Sequence, residues 1–155
     1  MAAVILATGC SDRIMTLEER LASLPADTLF RIKTDTTFSE AWEIRLRQPV
    51  DHRNPDGPCF TQQVFLYYAG ADRPVVVETE GYGARGGRNE LASILNANLI
   101  RIEHRYFEES TPDPVDWKYL TTCRQLLIIT GSLSSLNPFS GAGGQPPVSA
   151  REDRQ

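Results

Sequence analysis

Few residues of this chain could take part in nucleophilic catalysis, and their positions in the sequence do not match the spacing of a catalytic centre. The sequence has two histidines, His52 and His104, so a histidine-based triad would have to use one of them. Ser110, Ser132 and Ser149 lie outside any Gly-x-Ser-x-Gly turn, the strand-to-helix turn that exposes a nucleophilic serine. A histidine in a strand such as His104 is more often packed or hydrogen-bonded than a base. We therefore expect no catalytic residue here.

A glycine-rich turn could act through its backbone. Gly81, Tyr82 and Gly83 follow soon after the apolar run Val75–Val77. A backbone N–H placed after such a strand can stabilise the oxyanion of acyl transfer, and glycine lets the chain approach closely. An isolated glycine turn is more often a plain turn, so both interpretations stay open at this point.

Cysteine spacing and charge argue against several other kinds of site. Cys10, Cys59 and Cys123 fit no metal-ligand spacing, and their odd number gives no complete disulfide framework. Cys59 and Cys123 also lack a nearby base that would activate a thiol. The net charge of -4 does not suggest the basic face of a nucleic-acid-binding protein. We expect no metal, no cofactor and no nucleic-acid partner.

Apolar periodicity predicts the elements that would position these residues. The segment Thr16–Leu24 predicts a short helix, in which Thr16 and Glu19 form a capping box. The segments Phe38–Val50 and Phe60–Tyr68 alternate with a period of two and predict an antiparallel hairpin.

A second group of elements follows the hairpin. The continuous apolar run Val75–Val77 indicates a strand buried on both faces. A strand is also predicted over Asn98–Phe107, and a helix is predicted between the two, with the apolar face Leu91, Ile94 and Leu95. Strand, helix and strand form a right-handed βαβ unit. The fold class is therefore α/β, with an antiparallel hairpin leading into a βαβ unit.

Six motifs occur in the order and spacing of a known family. They are Gln48 to His52, Phe60 with Gln62 and Gln63, Thr79 to Tyr82, Asn89 to Leu91, Glu103 to Phe107 with Ser110, and Trp117 with Tyr119 to Thr121. From about Phe38 to Thr122 the chain resembles the N-terminal part of the secreted bacterial serine peptidases typified by prolyl tri- and tetrapeptidyl aminopeptidases.

The resemblance implies an incomplete α/β-hydrolase sheet and a peptide substrate. Its members remove short peptides from a free N-terminus with a Ser-Asp-His triad. Gly81, Tyr82 and Gly83 would be the backbone of the oxyanion loop. The family's catalytic histidine comes near the C-terminus, so the resemblance does not assign that role to His104.

The resemblance ends near Thr122. The family continues with a helix and then a strand that ends in the nucleophile elbow, whereas residues 123–155 are rich in Gly, Pro and Ser towards the end. When the codons of residues 143–155 are read one base out of frame, they can spell Gly-Val-Ser-Lys-Gly-Gly, which is that elbow. We therefore predict a frameshifted, poorly ordered tail from about Cys123; a divergent natural tail is the alternative.

The N-terminus indicates a cell-envelope protein. The apolar run over residues 1–8 is too short to span a bilayer, and it leads into Leu6-Ala7-Thr8-Gly9-Cys10, which resembles a lipoprotein lipobox. Cys10 would carry the lipid and provide the only membrane contact. The basic region of a signal peptide is missing, and a buried N-terminal strand is the alternative. We expect a periplasmic, envelope-anchored or secreted protein.

Four segments and two functions follow from these patterns. The segments are a truncated signal (1–10), an N-terminal helix and linker (11–37), the first part of an α/β-hydrolase peptidase domain (38–122) and the tail (123–155). The first function is a fragment of a secreted serine aminopeptidase, inactive by itself. The alternative is a lipid-anchored, non-catalytic binding module that uses the hairpin and loops.

Overall fold

A computed structural model describes residues 15–121 of the chain. They form a mixed sheet of five strands in the order β1-β2-β3-β5-β4, with two short α-helices. None of the helices in these residues is long and apolar enough to cross a membrane. The elements are α1 (Leu17–Ala22), β1 (Ala26–Arg31), β2 (Glu40–Pro49), β3 (Cys59–Tyr68), β4 (Val75–Glu80), α2 (Glu90–Leu95) and β5 (Asn98–Glu103), followed by the 3₁₀ turns Glu108–Ser110 and Trp117–Tyr119.

Helix α1 begins where its capping signal predicts. Thr16 Oγ1 accepts a hydrogen bond from the Glu19 N–H at 3.2 Å, and Glu19 Oε2 accepts one from the Thr16 N–H at 2.9 Å. The two bonds satisfy backbone donors that the first turn of a helix leaves unpaired. Leu21 is buried against the sheet, in a cluster with Ile44 and Leu66 among others. This helix covers one face of the sheet.

Strand β1 lies in the segment that the sequence analysis describes as a linker, so that description was incomplete. It pairs antiparallel with β2, and Leu29 lies opposite Ile44. Its exposure does not alternate with a period of two, and the pairing register shifts between Ala26 and Thr28. Because an irregular edge strand lacks the alternating pattern, periodicity could not reveal it.

The predicted hairpin of β2 and β3 is confirmed. Its ladder runs without interruption from the pair Glu40 and Tyr68 to the pair Pro49 and Cys59. Trp42, Ile44 and Leu46 are buried on one face of β2, as the alternation predicts. This hairpin forms the centre of the described sheet, because β3 also pairs with β5.

The connection from β4 through α2 to β5 is confirmed, but the predicted burial of β4 is wrong. Strands β4 and β5 are parallel, and every residue of β5 is buried. Strand β4 instead alternates, leaving Val75 39% and Val77 38% exposed. It is the edge of the described sheet, and these two valines stay partly exposed there.

The predicted apolar face of α2 is also wrong. The Asn89 side chain accepts a hydrogen bond from the Ala92 N–H at 2.8 Å, and Asn96 ends the helix in a left-handed conformation with φ 49°. Ala92 is the residue that the helix buries against the sheet. The three larger apolar side chains are exposed by half or more: Leu91, Ile94 and Leu95. The face of α2 with the small side chain of Ala92 therefore packs on the sheet, and the face with the large apolar side chains points away from it.

Candidate active site

The glycine-rich turn lies where the sequence predicts, directly after β4. Gly81, Tyr82 and Gly83 follow its last residue, Glu80, and Glu80 pairs with Glu103 at the end of β5. Because the two strands are parallel, the turn and the segment after Glu103 both leave the sheet at the carboxyl ends of the strands. Ligand sites of α/β sheets lie outside the carboxyl ends of their strands. The carboxyl ends of β4 and β5 are therefore the candidate site.

Glu103 is the structural centre of this candidate site. Its side chain is fully buried, and Oε1 accepts a hydrogen bond from the Ala84 N–H at 2.8 Å. Ala84 is itself buried and is the residue after Gly83. A buried carboxylate needs hydrogen-bond donors to offset its loss of hydration, and the glycine turn supplies one of them.

Ser110 supplies the other donors to the same carboxylate. Glu103 Oε2 accepts from the Ser110 N–H at 2.9 Å and from its hydroxyl at 2.6 Å. The hydroxyl oxygen in turn accepts from the Gln63 N–H of β3 at 2.9 Å. Gln62 donates to the Glu103 backbone carbonyl at 2.9 Å. One buried residue thus joins the glycine turn, the 3₁₀ turn and strand β3.

Glu108 lies against the glycine turn from the other side. A Cβ atom on Gly83 would stand 2.2 to 2.4 Å from the carboxylate atoms of Glu108, so only glycine fits there with the side chain in place. Glu108 has φ 27° and Tyr106 has φ 69°, both in the left-handed region. Non-glycine residues in this region are uncommon and cluster at functional sites.

Aromatic side chains surround the turn. The exposed Tyr82 ring contacts Phe107 edge to face, with centroids 5.8 Å apart, and the His104 ring lies 6.4 Å from Phe107. Within residues 15–121 the His104 side chain makes no hydrogen bond to a serine or a carboxylate. The His104 ring therefore belongs to the aromatic group beside the turn.

Arg105 fixes the segment beyond the site. It is fully buried, and its Nη2 donates to the Val50 carbonyl at 2.6 Å. Its guanidinium carbon lies 4.6 Å from the Phe60 ring centroid and 5.7 Å from that of Tyr119. Such cation–π contacts gain strength when they are desolvated. They connect the start of β3 with the last described turn.

Sequence reasoning placed the glycine turn but missed its supports. The family motifs include Glu103, Arg105 and Ser110, but their sequence pattern predicts no role for these residues. One signal could have found Glu103, namely a single carboxylate at the end of a strand whose neighbours Ile100 and Ile102 are apolar. Ser110 sits seven residues later in a polar loop, and its contact depends on the folded chain.

The other candidate residues lie elsewhere. Cys10 and Cys123 lie outside the described residues. Cys59 is an exposed free thiol, and residues 15–121 contain no group of His, Cys, Asp and Glu side chains that could hold a metal ion. Among the depressions lined by residues 15–121 are two open ones of about 420 and 500 Å³, and neither of these is lined by the turn Gly81 to Gly83.

The sheet and its helices place this chain in the α/β class. From residue 10 to residue 132 it matches the family model described as PS-10 peptidase S37, and the chain belongs to that family. Over 76 residues it is 42% identical to the prolyl tri/tetrapeptidyl aminopeptidase of Streptomyces mobaraensis. That alignment covers 48% of this chain and spans only 16% of the length of that relative.

The family match confirms the resemblance and is longer than the motifs that suggested it. It starts before Phe38, so it includes helix α1 and strand β1. It also continues past Thr122, into residues for which the sequence analysis proposes a frameshift. The frameshift stays a prediction, and residues 122–155 lie outside the described part of the chain.

Proposed function

We propose that this chain is the N-terminal portion of a serine peptidase of the α/β-hydrolase type, and that it supplies the oxyanion loop. The observation that carries the proposal is the position of Gly81 to Gly83, at the carboxyl end of β4, within the stretch that matches the peptidase family. An antiparallel hairpin that leads into a parallel pair is also how α/β-hydrolase sheets begin.

The turn is suited to stabilising an oxyanion. Within residues 15–121 the backbone N–H groups of Tyr82 and Gly83 donate no hydrogen bond. Fixed N–H donors directed at the developing negative charge are usually the largest single contribution to acyl-transfer catalysis. Glu103 holds the next N–H, that of Ala84, and so limits the motion of the turn.

The remaining catalytic groups would come from further strands. The edge of β4 carries the exposed Val75 and Val77, and α2 carries the exposed Ile94. An adjoining strand with its own helix would bury both surfaces. A nucleophile elbow at the end of such a strand would lie beside the glycine turn, because neighbouring parallel strands end at the same edge.

We propose peptides with a free N-terminus as substrates of the full-length protein. The support is the relative from Streptomyces mobaraensis, whose name specifies prolyl tri/tetrapeptides. The 155 residues contain no Gly-x-Ser-x-Gly turn, and the His104 ring packs near Phe107. Our proposal therefore includes the absence of peptidase activity from the chain by itself.

The test begins at the DNA. Resequencing across the Thr122 codon, followed by expression of the frame-restored protein, supplies the material. We expect release of a chromophore from prolyl tripeptide and tetrapeptide substrates with free N-termini, and loss of turnover when the elbow serine is changed to alanine. Turnover that survives this change contradicts the mechanism, since the serine is the nucleophile in it.

Attachment to the cell envelope is a separate part of the proposal. The lipobox-like stretch that ends in Cys10 supports it. Mass spectrometry of the protein isolated from its source should find a diacylglyceryl group on an N-terminal Cys10. An unmodified Cys10 still preceded by Gly9 contradicts this part and leaves the peptidase proposal intact.

A further inference from the structure

We infer that Glu103 is a positioning residue for the reaction, acting through the turn Gly81 to Gly83. This inference rests on the proposed function, because it assigns the turn its catalytic task. Glu103 touches no substrate in this role. It holds in place the backbone of the turn, which contacts the substrate.

The first half of the argument is the direct bond to the turn. The Ala84 N–H donates to Glu103 Oε1 at 2.8 Å, one residue after Gly83. Strand β4 ends at Glu80 and is an edge strand, so the sheet supports the turn from one side only. Tyr82 is 79% exposed and adds little packing. The hydrogen bond to Glu103 is therefore a main restraint on the path of the turn.

The second half is the rigidity of Glu103 itself. The residue is fully buried, and Oε2 is held by the backbone N–H and the hydroxyl of Ser110. Ser110 is held in turn by the Gln63 N–H of the central strand β3. The turn is thus connected through one carboxylate to the most extensively paired part of the sheet.

A carboxylate is required at this position, because all the groups that face it are donors. An ionised carboxylate accepts only, whereas a glutamine amide presents an NH₂ group. Whichever way the amide is turned, its NH₂ group faces the Ala84 N–H or the donors of Ser110. Glu103→Gln therefore keeps the size of the side chain and breaks one side of the contact.

The consequence should fall on the chemical step. Oxyanion-hole donors act when they lie about 2.7–3.1 Å from the developing charge. If the turn moves away from this position, the enzyme binds the transition state less tightly, and binding of the substrate changes less. Such a change lowers kcat and leaves KM nearly constant.

Asn98 offers a matched control on the same strand. It is fully buried at the opposite end of β5, where its Oδ1 accepts from the Ala69 N–H at 2.7 Å and its Nδ2 donates to the Gly70 carbonyl at 2.9 Å. Asn98→Asp is an isosteric exchange of the same kind, made far from the carboxyl edge of the sheet. It reports what loss of a buried polar contact does in general.

The experiment compares Glu103→Gln, Ser110→Ala and Asn98→Asp in the frame-restored protein. For Glu103→Gln we expect a fall in kcat of about 10²-fold, the low end for loss of an oxyanion donor, with KM within about twofold. Ser110→Ala should give a smaller fall in the same direction. Asn98→Asp should keep kcat within about twofold, at a similar loss of thermal stability.

Amide hydrogen exchange supplies a second readout that does not need activity. In the 155-residue chain and in the frame-restored protein, exchange at residues 82–84 should accelerate in Glu103→Gln and not in Asn98→Asp. If the frame-restored protein has no peptidase activity, the proposed function fails and exchange alone decides whether Glu103 holds the turn. If it is active, an unchanged kcat or unchanged exchange in Glu103→Gln overturns the inference.

Discussion

Gly81 and Gly83 belong to the same turn but have different surroundings. Nothing lies within 4 Å of a Cβ atom built on Gly81, whereas one built on Gly83 meets the carboxylate of Glu108 at 2.2 to 2.4 Å. The obstacle is the end of a flexible side chain, which can swing away at modest cost. The two glycines therefore provide a test of what Glu108 does.

We predict that Gly83→Ala destabilises the protein only when Glu108 is present. In a double-mutant cycle with Glu108→Ala, the coupling between the two positions should be about 0.5–1 kcal/mol, the low range for residues in contact. Chemical denaturation of the frame-restored protein gives the four free energies of unfolding. Gly81→Ala, the control, should show no coupling to Glu108→Ala. Equal coupling for both glycines would mean that the contact is not specific.

A second prediction concerns Asp116, which caps the turn Trp117–Tyr119. The hydrogen bond from the Lys118 side chain, together with its backbone N–H, holds the pKa of Asp116 below the ordinary value of 3.8. A carboxyl whose pKa is lower in the folded state stabilises the protein above its unfolded pKa, and this contribution disappears as the pH falls through the folded pKa.

Asp116→Asn should therefore destabilise the protein at neutral pH and make little difference well below pH 3.8. The measurement is the thermal midpoint of both proteins at several pH values, and Asp113→Asn, in the same loop, serves as the control. A stability difference that stays constant down to the lowest pH would show that the charge of Asp116 does not matter. The effect is expected to be small, since the Asp116 side chain is 41% exposed to solvent.

Sequence alone could predict the glycine turn but not what supports it. A run of apolar residues followed by glycines is visible in the linear order from Val75 to Gly83. The partners of Glu103 cannot be read in this way, because Ala84 and Gln62 are brought to it by strand pairing. Glu108 likewise meets Gly83 only once β4 and β5 lie side by side.

At the scale of elements, regular strands and caps were predictable and surface faces were not. The alternation of β2 and the capping box at Thr16 are local patterns, and both are confirmed. Burial of Val75 and of Leu91 depends on which elements lie beside them, and the described residues include no such neighbour. An apolar pattern therefore predicts that a helix or strand face is buried by another element, but it does not show whether the described residues contain that element.

Within residues 15–121, strand β4 pairs with another strand on one side only. Its edge carries two exposed valines, and between Val75 and Glu80 it contains none of the lysines or prolines that discourage pairing with another chain. Glu78 and Glu80 do not protect it fully, because Arg101 pairs with both, at 2.7 and 3.5 Å.

We predict that Val77→Lys reduces self-association of the 155-residue chain. The lysine stands on the exposed face of the edge strand, where charge opposes pairing at little cost in folding. Light scattering at increasing concentration measures the association. Val76→Lys is the control, since Val76 packs against the second apolar cluster and its replacement should destabilise the fold. If both variants associate as the parent does, β4 is not the contact surface.

Residues 15–121 form two apolar cores, one on each face of the sheet. The first includes Leu21, Ile44 and Ile102, and helix α1 covers it. The second includes Phe65, Leu99 and Ala92, and helix α2 covers it. Val76 of β4 packs against the second core, whereas Val75 and Val77 on the other face of that strand stay partly exposed.

The last prediction contrasts the 155-residue chain with the longer protein that the proposed restoration of the frame would produce. At roughly 25 cal/mol per Å² of apolar surface buried, covering the exposed sides of Val77, Ile94 and their neighbours contributes several kcal/mol. Whole domains are stable by only about 5–15 kcal/mol. The shorter chain should therefore unfold at a clearly lower temperature, associate more readily, and hydrolyse none of the peptides that the restored protein cleaves. Calorimetry, light scattering and a peptide assay with a serine-directed inhibitor measure the three properties. A monomeric 155-residue chain with an equal thermal midpoint would contradict the stability argument. Inhibitor-sensitive turnover by this chain would mean that it holds a nucleophile that the missing elbow does not supply.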